Sequence, residues 1–585
     1  MYERVALFLA SPKIGRWVAV IAMLLTLVSV TTGLATEDRV FKQHSLGMDL
    51  PRQVNLYGHD KLPARDEILR ANMDNKVSGF YPWITHHEFG VSFWRPLSSW
   101  THHLDYHAWP DHEWLMHLQS VLWYGSLAAA AALLFREVLG HTWVAGLAAL
   151  LYAIDDAHGH AVGWLANRNT VLAALFGVLA IWSHIRWRKH GSRKALFGSI
   201  AALSIALGCA EFALGAVGYL VAHNLTMERG LRTRCGAALP WLGVVLGWAL
   251  IYRELGHYTF GSGLYVHPLR EPFAYAKVWL ERPQLFLFSQ FAAPFSGWWL
   301  ELEGLAAQRF TQLTAAGMLA ITVILWPMLR EQRESRFFAL GMVGCLPPIC
   351  ATFPEDRLLF FVGIGAMALV AQVLERASQG APQPGYRRLP FQSLAAAFAV
   401  LHLGIAPVLL PFRTLKMDRY DSELRASGDR LYGLVDEPSR QSLMVLNSPD
   451  YYYGSMTAVM RLTRDLPIAK RLLFFCGTLA ATSIETVDRH TIIVRPTGGF
   501  FSRAFNRIYR GEAHPLPSGT VISLRGVDIT VLEATADGSP LAASFRFAYP
   551  LNHPNLVWAA WRDAGYERIQ LPPRGERITL RGERP

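Results

Sequence analysis

Charge is what this chain has least of. Only 17% of its 585 residues are Asp, Glu, Lys or Arg, against about a quarter in an ordinary soluble domain. A nucleic-acid binder would be richer in charge, so the net +11 implies no nucleic acid. With 52% hydrophobic residues the chain is not a disordered one either. Cysteine is scarce: Cys209, Cys235, Cys345, Cys350 and Cys476 form no CxxC and no metal-ligand spacing. Only Cys476 falls in a region that reads as soluble, so there is no disulfide framework. Also missing are a phosphate-binding glycine loop after a strand, an HExxH and a readable Ser-His-Asp arrangement. There is no internal repeat and no low-complexity segment. What remains is a polytopic α-helical membrane protein with its charge gathered in loops.

A membrane helix needs about 20 mostly apolar residues. Spans are expected near 17–36, 115–135, 142–154, 170–185, 195–209, 211–225, 237–252, 311–328, 337–352, 358–375 and 391–411, about eleven in all. The first is long and lacks a clean cleavage site, so it reads as an anchor. Basic clusters at Arg186–Lys194, Arg229–Arg234, Arg330–Arg336 and Arg376–Arg388 set the orientation. They put the N-terminus in the cytoplasm and the C-terminus outside. For this to hold, the apolar piece 284–299 must be interfacial or re-entrant. The transmembrane domain then covers 1–412 and includes an outward loop, 38–114. A second, extracytoplasmic domain covers 413–585. Short apolar runs at Ser442–Leu446, Thr491–Val494, Val521–Leu524 and Ile529–Leu532, broken by Pro496-Thr497-Gly498-Gly499 and Ala536-Asp537-Gly538, make that domain α/β or β-rich.

This topology sorts the acids. Glu37-Asp38, Asp155-Asp156, Glu211, Glu254 and Glu355-Asp356 all fall at outer helix ends. Carboxylates near a membrane interface are costly and mark function more often than those in water. The outer side also holds histidines. His103 and His107 stand one helical turn apart, and His158 and His160 follow the Asp155-Asp156 pair. Histidine and aspartate so spaced are candidate ligands for a divalent metal. The tryptophans Trp83, Trp94, Trp100 and Trp109 read, with Phe93, as interfacial packing.

Three motifs carry a resemblance. Trp94-Arg95-Pro96-Leu97 precedes the second span, Trp164-Leu165-Ala166-Asn167-Arg168 follows the third, and Glu355-Asp356-Arg357-Leu358-Leu359 precedes a late one. Together with the acidic pair after span one, they resemble the GT-C fold of membrane glycosyltransferases. The likeness is greatest to protein O-mannosyltransferases and their bacterial relatives, and it covers roughly 15–375. The chain departs from that pattern in having Asp155-Asp156 where His-Pro is common, and in lacking tetratricopeptide repeats in its tail. The resemblance implies a polyprenyl-phosphate sugar donor bound from the membrane lipids. It implies transfer with inversion to an extracytoplasmic protein, glycan or lipid acceptor. It makes Asp38 the first choice for general base and Glu37 the second. The donor phosphate would fall to Arg95, Arg168 and Arg357, whose planar forks match phosphate oxygens. Asp155, Asp156 and Glu211 would line the cavity. A non-catalytic envelope scaffold of the same fold is the alternative, and a transporter a further one, although no inverted repeat is readable. The location expected is a bacterial inner membrane.

Overall fold

A computed structural model describes residues 2–47, 55–57, 73–293, 295–380 and 385–583. Among the described residues seven helices are long and apolar enough to cross a membrane: Ile14–Thr31, Glu113–Leu139, Leu165–His190, Leu231–Glu254, Gly304–Glu331, Phe360–Ser378 and a continuous stretch Arg388–Tyr432. Their surroundings differ. Phe360–Ser378 is 78% buried by its neighbours and forms the centre of the bundle, whereas Leu231–Glu254 is 11% buried. On that outer helix Leu231, Leu239, Leu246 and Leu250 stand exposed. A row of bare leucines on a long helix is tolerated where the solvent is lipid. The chain is a polytopic helical membrane protein with a sheet-rich C-terminal domain.

At the positions of the other four expected spans stand shorter helices, Trp143–Ala153, Arg193–Cys209, Leu214–Thr226 and Arg333–Gly344, none of them among the helices long and apolar enough to cross. Small residues let them pack closely. A Cβ on Gly218 would lie 2.3 Å from the Gly344 carbonyl carbon, so Leu214–Thr226 and Arg333–Gly344 touch backbone to backbone. The segment 284–299 falls across helix Pro272–Phe291 and the 3-10 turn Ser296–Glu301.

The tail holds two sheets. A four-stranded sheet places Gly565–Arg568, Leu556–Arg562, Ser442–Asn447 and Arg471–Cys476 side by side. Its last three strands are parallel, in the register Val557↔Leu443↔Leu472. Leu443–Asn447 and Leu472–Cys476 are buried throughout, as parallel strands covered on both faces should be. The six-stranded sheet is antiparallel, and Thr491–Pro496 shows the alternation of a strand with one buried face. Each apolar run singled out in the tail sequence lies within a strand. Its turn glycines Gly498, Gly499 and Gly538 have φ of 80°, 82° and 76°.

Part of the loop 38–114 packs into the tail. Trp83, Ile84 and Phe89 are part of the tail's core, and the Trp83 indole donates to the Phe475 carbonyl at 2.9 Å. Trp83 is therefore a core plug rather than an interfacial residue. Residues 48–54 and 58–72 of that loop lie outside the described ones. Across 412/413 helix Lys416–Tyr432 follows Ala406–Thr414 directly. A seven-residue π-helix, Ala399–Ile405, interrupts the same stretch.

Candidate functional site

The acids of the separate helix ends gather at the tail-facing end of the bundle, in two adjoining groups. The first is built around Glu37 and Asp38, which open helix Glu37–Gly47. Although adjacent, they face different surroundings. Asp38 is fully enclosed, and its oxygens accept from the backbone amides of Ala35 at 2.9 Å and Ala166 at 2.6 Å. It staples the turn after the first span to the turn before Arg168. Glu37 is half-buried, and its oxygens accept from the hydroxyls of Thr36 at 2.5 Å and Tyr452 at 2.6 Å. Thr36 has φ +42°, a costly conformation for a β-branched residue. Its amide is tied to Asp421 of the tail at 2.9 Å, and Arg39 pairs with the same carboxylate at 2.6 Å.

Burial pushes the Asp38 carboxyl up to about 8, against the two backbone amides and Arg39, with Glu37 adding to the rise. Burial thus favours the protonated form of Asp38 over the carboxylate, more than at an exposed aspartate. The sign for stability follows. A raised carboxyl stabilises the fold fully below its unfolded value near 4, and that contribution is lost as pH rises through about 8. The wild-type melting temperature in detergent is expected to fall as pH rises from about 5 to about 9. Asp38→Asn, which cannot titrate, should lack that part of the fall. Equal slopes in the two proteins would overturn the assignment.

The three expected phosphate ligands have three different settings. Arg168 is enclosed and pairs with Asp105 at 2.5 Å. It also donates to the Ser120 hydroxyl at 3.0 Å, the Met116 carbonyl at 2.7 Å and the Thr101 hydroxyl at 3.4 Å. Arg95 forms a two-pronged pair with Glu211, its Nε donating to Oε2 at 3.1 Å and its Nη2 to Oε1. Arg357 has no carboxylate within ion-pair distance among the described residues. Its guanidinium lies over Trp164 at 5.3 Å and Phe353 at 5.6 Å, with one long contact to Asn167 at 3.4 Å.

Tyr265 lies where these charges meet. Its ring packs edge-on against Phe93 at 5.6 Å and Phe353 at 5.5 Å. Arg95 covers Phe93 at 4.4 Å as Arg357 covers Phe353. Burial raises the Tyr265 hydroxyl, Arg357 and Arg95 draw it down, and Glu37 and Glu211 push it up. Arg282 holds the frame. Its Nη1 donates to the carbonyls of Leu264, Cys350 and Thr352 at 3.0, 2.9 and 2.8 Å, fixing the segments that carry Tyr265 and Phe353.

The second group centres on Arg413. Its two terminal nitrogens donate at 2.7 Å to Asp156 and to Asp356, and Asp356 also accepts from Ser289, Ser296 and the Ser296 amide. Gly163 brings this about, since a Cβ there would sit 1.8 Å from the Thr414 carbonyl oxygen. Asp155 is buried against Gln290 at 2.7 Å, with His158 4.0 Å away. Glu355 faces Lys416 at 3.5 Å and His160 at 3.7 Å. Although burial works the other way, Lys416, His160 and Arg357 hold its carboxyl well below the usual range. Arg413, Lys416, Arg282 and Tyr265 were not among the residues singled out in the sequence. Glu254 is exposed and belongs to neither group.

The four histidines do not form a ligand set. His103 bonds Ser45 at 2.6 Å, and His107 bonds the His103 carbonyl at 2.8 Å. His158 is stacked on Phe360 at 4.3 Å and His160 on Trp164 at 5.6 Å. Burial lowers His158 to about 3 and His160 to about 4, keeping both neutral. Among the described residues no three His, Cys, Asp or Glu side chains converge in a way that would hold a metal, so no step is derived through one.

No family model matches the chain, and no curated protein matches its sequence. Among solved structures it is similar to ArnT from Cupriavidus metallidurans bound to undecaprenyl phosphate. The match has 14% identity over 78% of this chain and 86% of that one, with a TM-score of 0.37. It is also similar to the archaeal oligosaccharyltransferase AglB from Archaeoglobus fulgidus in complex with an inhibitory peptide and a dolichol-phosphate. There the identity is 14% over 76% of this chain and 64% of that one, with a TM-score of 0.35.

Proposed function

We propose that this protein is a membrane glycosyltransferase of the GT-C kind. It moves a sugar from a polyprenyl-phosphate-linked donor to an acceptor outside the membrane, with inversion. The observation that carries the reading is one ring cluster with a half-buried carboxylate at one end, Glu37 on the Tyr452 hydroxyl, and over Phe353 an arginine, Arg357, that has no carboxylate partner among the described residues. In this reading Glu37 takes the proton from the acceptor hydroxyl. The acceptor oxygen bonds the anomeric carbon from the face opposite the phosphate, and the bond from that carbon to the phosphate oxygen breaks. The lipid phosphate leaves with the electron pair, and Arg357 balances its charge. Arg95, locked by Glu211, holds Phe93 and the wall beside Tyr265. Arg168 and Asp38 act as internal braces, and Asp156 and Asp356 fix Arg413. In this reading the chain sits in a bacterial inner membrane with its N-terminus in the cytoplasm and the tail outside, which the basic clusters in its loops support.

Removing a charge-assisted contact to phosphate costs about 1.5–3 kcal/mol, or roughly 10- to 100-fold. Arg357→Ala is accordingly expected to lower kcat/KM for a polyprenyl-phosphate sugar by that factor in reconstituted membranes. Arg357→Lys should recover part of it, because it restores charge without the planar fork. Unchanged transfer by Arg357→Ala would remove Arg357 from the site. A wild type that consumes no polyprenyl-phosphate sugar at all would overturn the enzyme reading in favour of an envelope scaffold.

A further inference from the structure

The tail reaches into the site with aromatic rings. Tyr452, whose hydroxyl is on Glu37, packs edge-on against Phe505 at 5.5 Å, and Phe505 against Phe353 at 5.8 Å. Phe353 continues to Tyr265 and Tyr265 to Phe93. Five rings thus run from the tail to the arginines, beginning at Glu37. Tyr452, Phe505, Tyr265 and Phe93 are each half-buried, and only Phe353 is enclosed. The Tyr265 hydroxyl bonds no described residue.

The charges along this wall nearly cancel. Arg95 is matched by Glu211 and Lys416 by Glu355, which leaves Glu37 opposite Arg357. An acidic acceptor would meet three carboxylates, and a basic one would compete with Arg357 for the donor phosphate. An acyl chain would leave the Tyr265 hydroxyl, which bonds no described residue, facing hydrocarbon, which a polar group tolerates poorly. A peptide of extended backbone needs a row of backbone partners, and the wall offers side-chain rings instead. A sugar ring suits it. Its C–H face lies on aromatic carbon, and its hydroxyls reach tyrosine and carboxylate oxygen.

We propose that the tail and the outer loops together form an acceptor subsite for a neutral carbohydrate, with Tyr452, Phe505 and Tyr265 as its contact residues. This rests on the transferase reading above and names its acceptor class. The tail is then part of the site rather than a separate binding module.

The test separates binding from transfer. Full-length protein in nanodiscs is examined by saturation-transfer NMR with neutral disaccharides of hexose and of N-acetylhexosamine, and with an uncharged serine-containing peptide. The disaccharides should receive saturation and the peptide should not. Phe505→Leu and Tyr265→Leu keep apolar volume but lose the ring, and each should weaken binding about three- to tenfold. Unchanged melting temperature shows that the variants fold. Tyr452→Phe keeps the ring and should retain disaccharide binding. If none of the disaccharides binds, if the two leucine variants bind as wild type does, or if the peptide alone binds, the subsite is overturned. Transfer to the peptide without disaccharide binding rejects the subsite and leaves the transferase reading standing. Ring-dependent disaccharide binding without consumption of any lipid-linked donor supports the subsite and overturns the transferase reading.

Discussion

Glu37→Gln is expected to lower turnover by about 10²- to 10⁴-fold, the range for loss of a general base, with little change in KM for the donor. Asp38→Asn should act on stability first. The contrast comes from what each carboxylate holds. Both Asp38 oxygens are spoken for by backbone amides that cannot turn away, and no part of the side chain is exposed. The partners of Glu37 are two hydroxyls, and a hydroxyl can rotate to serve another acceptor when a substrate arrives. The backbone just before Glu37 is held in the left-handed region at Thr36 by a tail carboxylate. Such strain persists where the surrounding structure over-determines it, and it is concentrated at functional sites. In Asp38→Asn one of the two amides loses its acceptor, a cost of about 1–3 kcal/mol. The measurement is initial transfer rate at saturating donor, beside melting temperature, for both variants. If Asp38→Asn folds normally and has no turnover while Glu37→Gln turns over as wild type, the two roles are exchanged.

The sequence made the acidic pair after span one readable, because charge beside a long apolar run stands out. It could not rank the two residues. Their difference lies in partners 128 and 415 positions away, Ala166 and Tyr452. Arg357 was readable from its motif, but its lack of a carboxylate partner among the described residues was not, since that depends on where Glu211, Asp105 and Glu355 go. Arg413 and Lys416 were hidden for another reason. They lie just past the last apolar run and outside every motif singled out, and Gly159 and Gly163 draw that helix against the turn after the third span. The spacing of those two glycines was the one sequence signal for the contact. The tail's strands were legible because turn glycines and apolar alternation are local properties. The insertion of Trp83 into the tail core was not, because its contact with Phe475 spans 392 positions.

Arg168 carries the other large expected effect, and it is one of stability. Arg168→Met leaves Asp105 enclosed without its cation, and breaking a buried pair from one side costs about 3–5 kcal/mol. The folded yield and melting temperature of Arg168→Met should fall sharply, and Asp105→Asn should move in the same direction. The double variant Arg168→Met/Asp105→Leu removes both charges and fills the space, so it should regain most of the loss. A phosphate ligand would behave otherwise, since the refolded double variant would then show a donor KM raised by roughly 10- to 100-fold. The geometry argues for the brace. Arg168 joins helix Pro96–Ala108, through Asp105 and Thr101, to helix Glu113–Leu139, through Met116 and Ser120. It begins the helix Arg168–His190 while Asp38 holds Ala166 two residues earlier. The two buried charges therefore fix one turn from both sides, and that turn carries Trp164, on which Arg357 rests. A double variant that regains stability and keeps a wild-type donor KM would remove Arg168 from the phosphate contact.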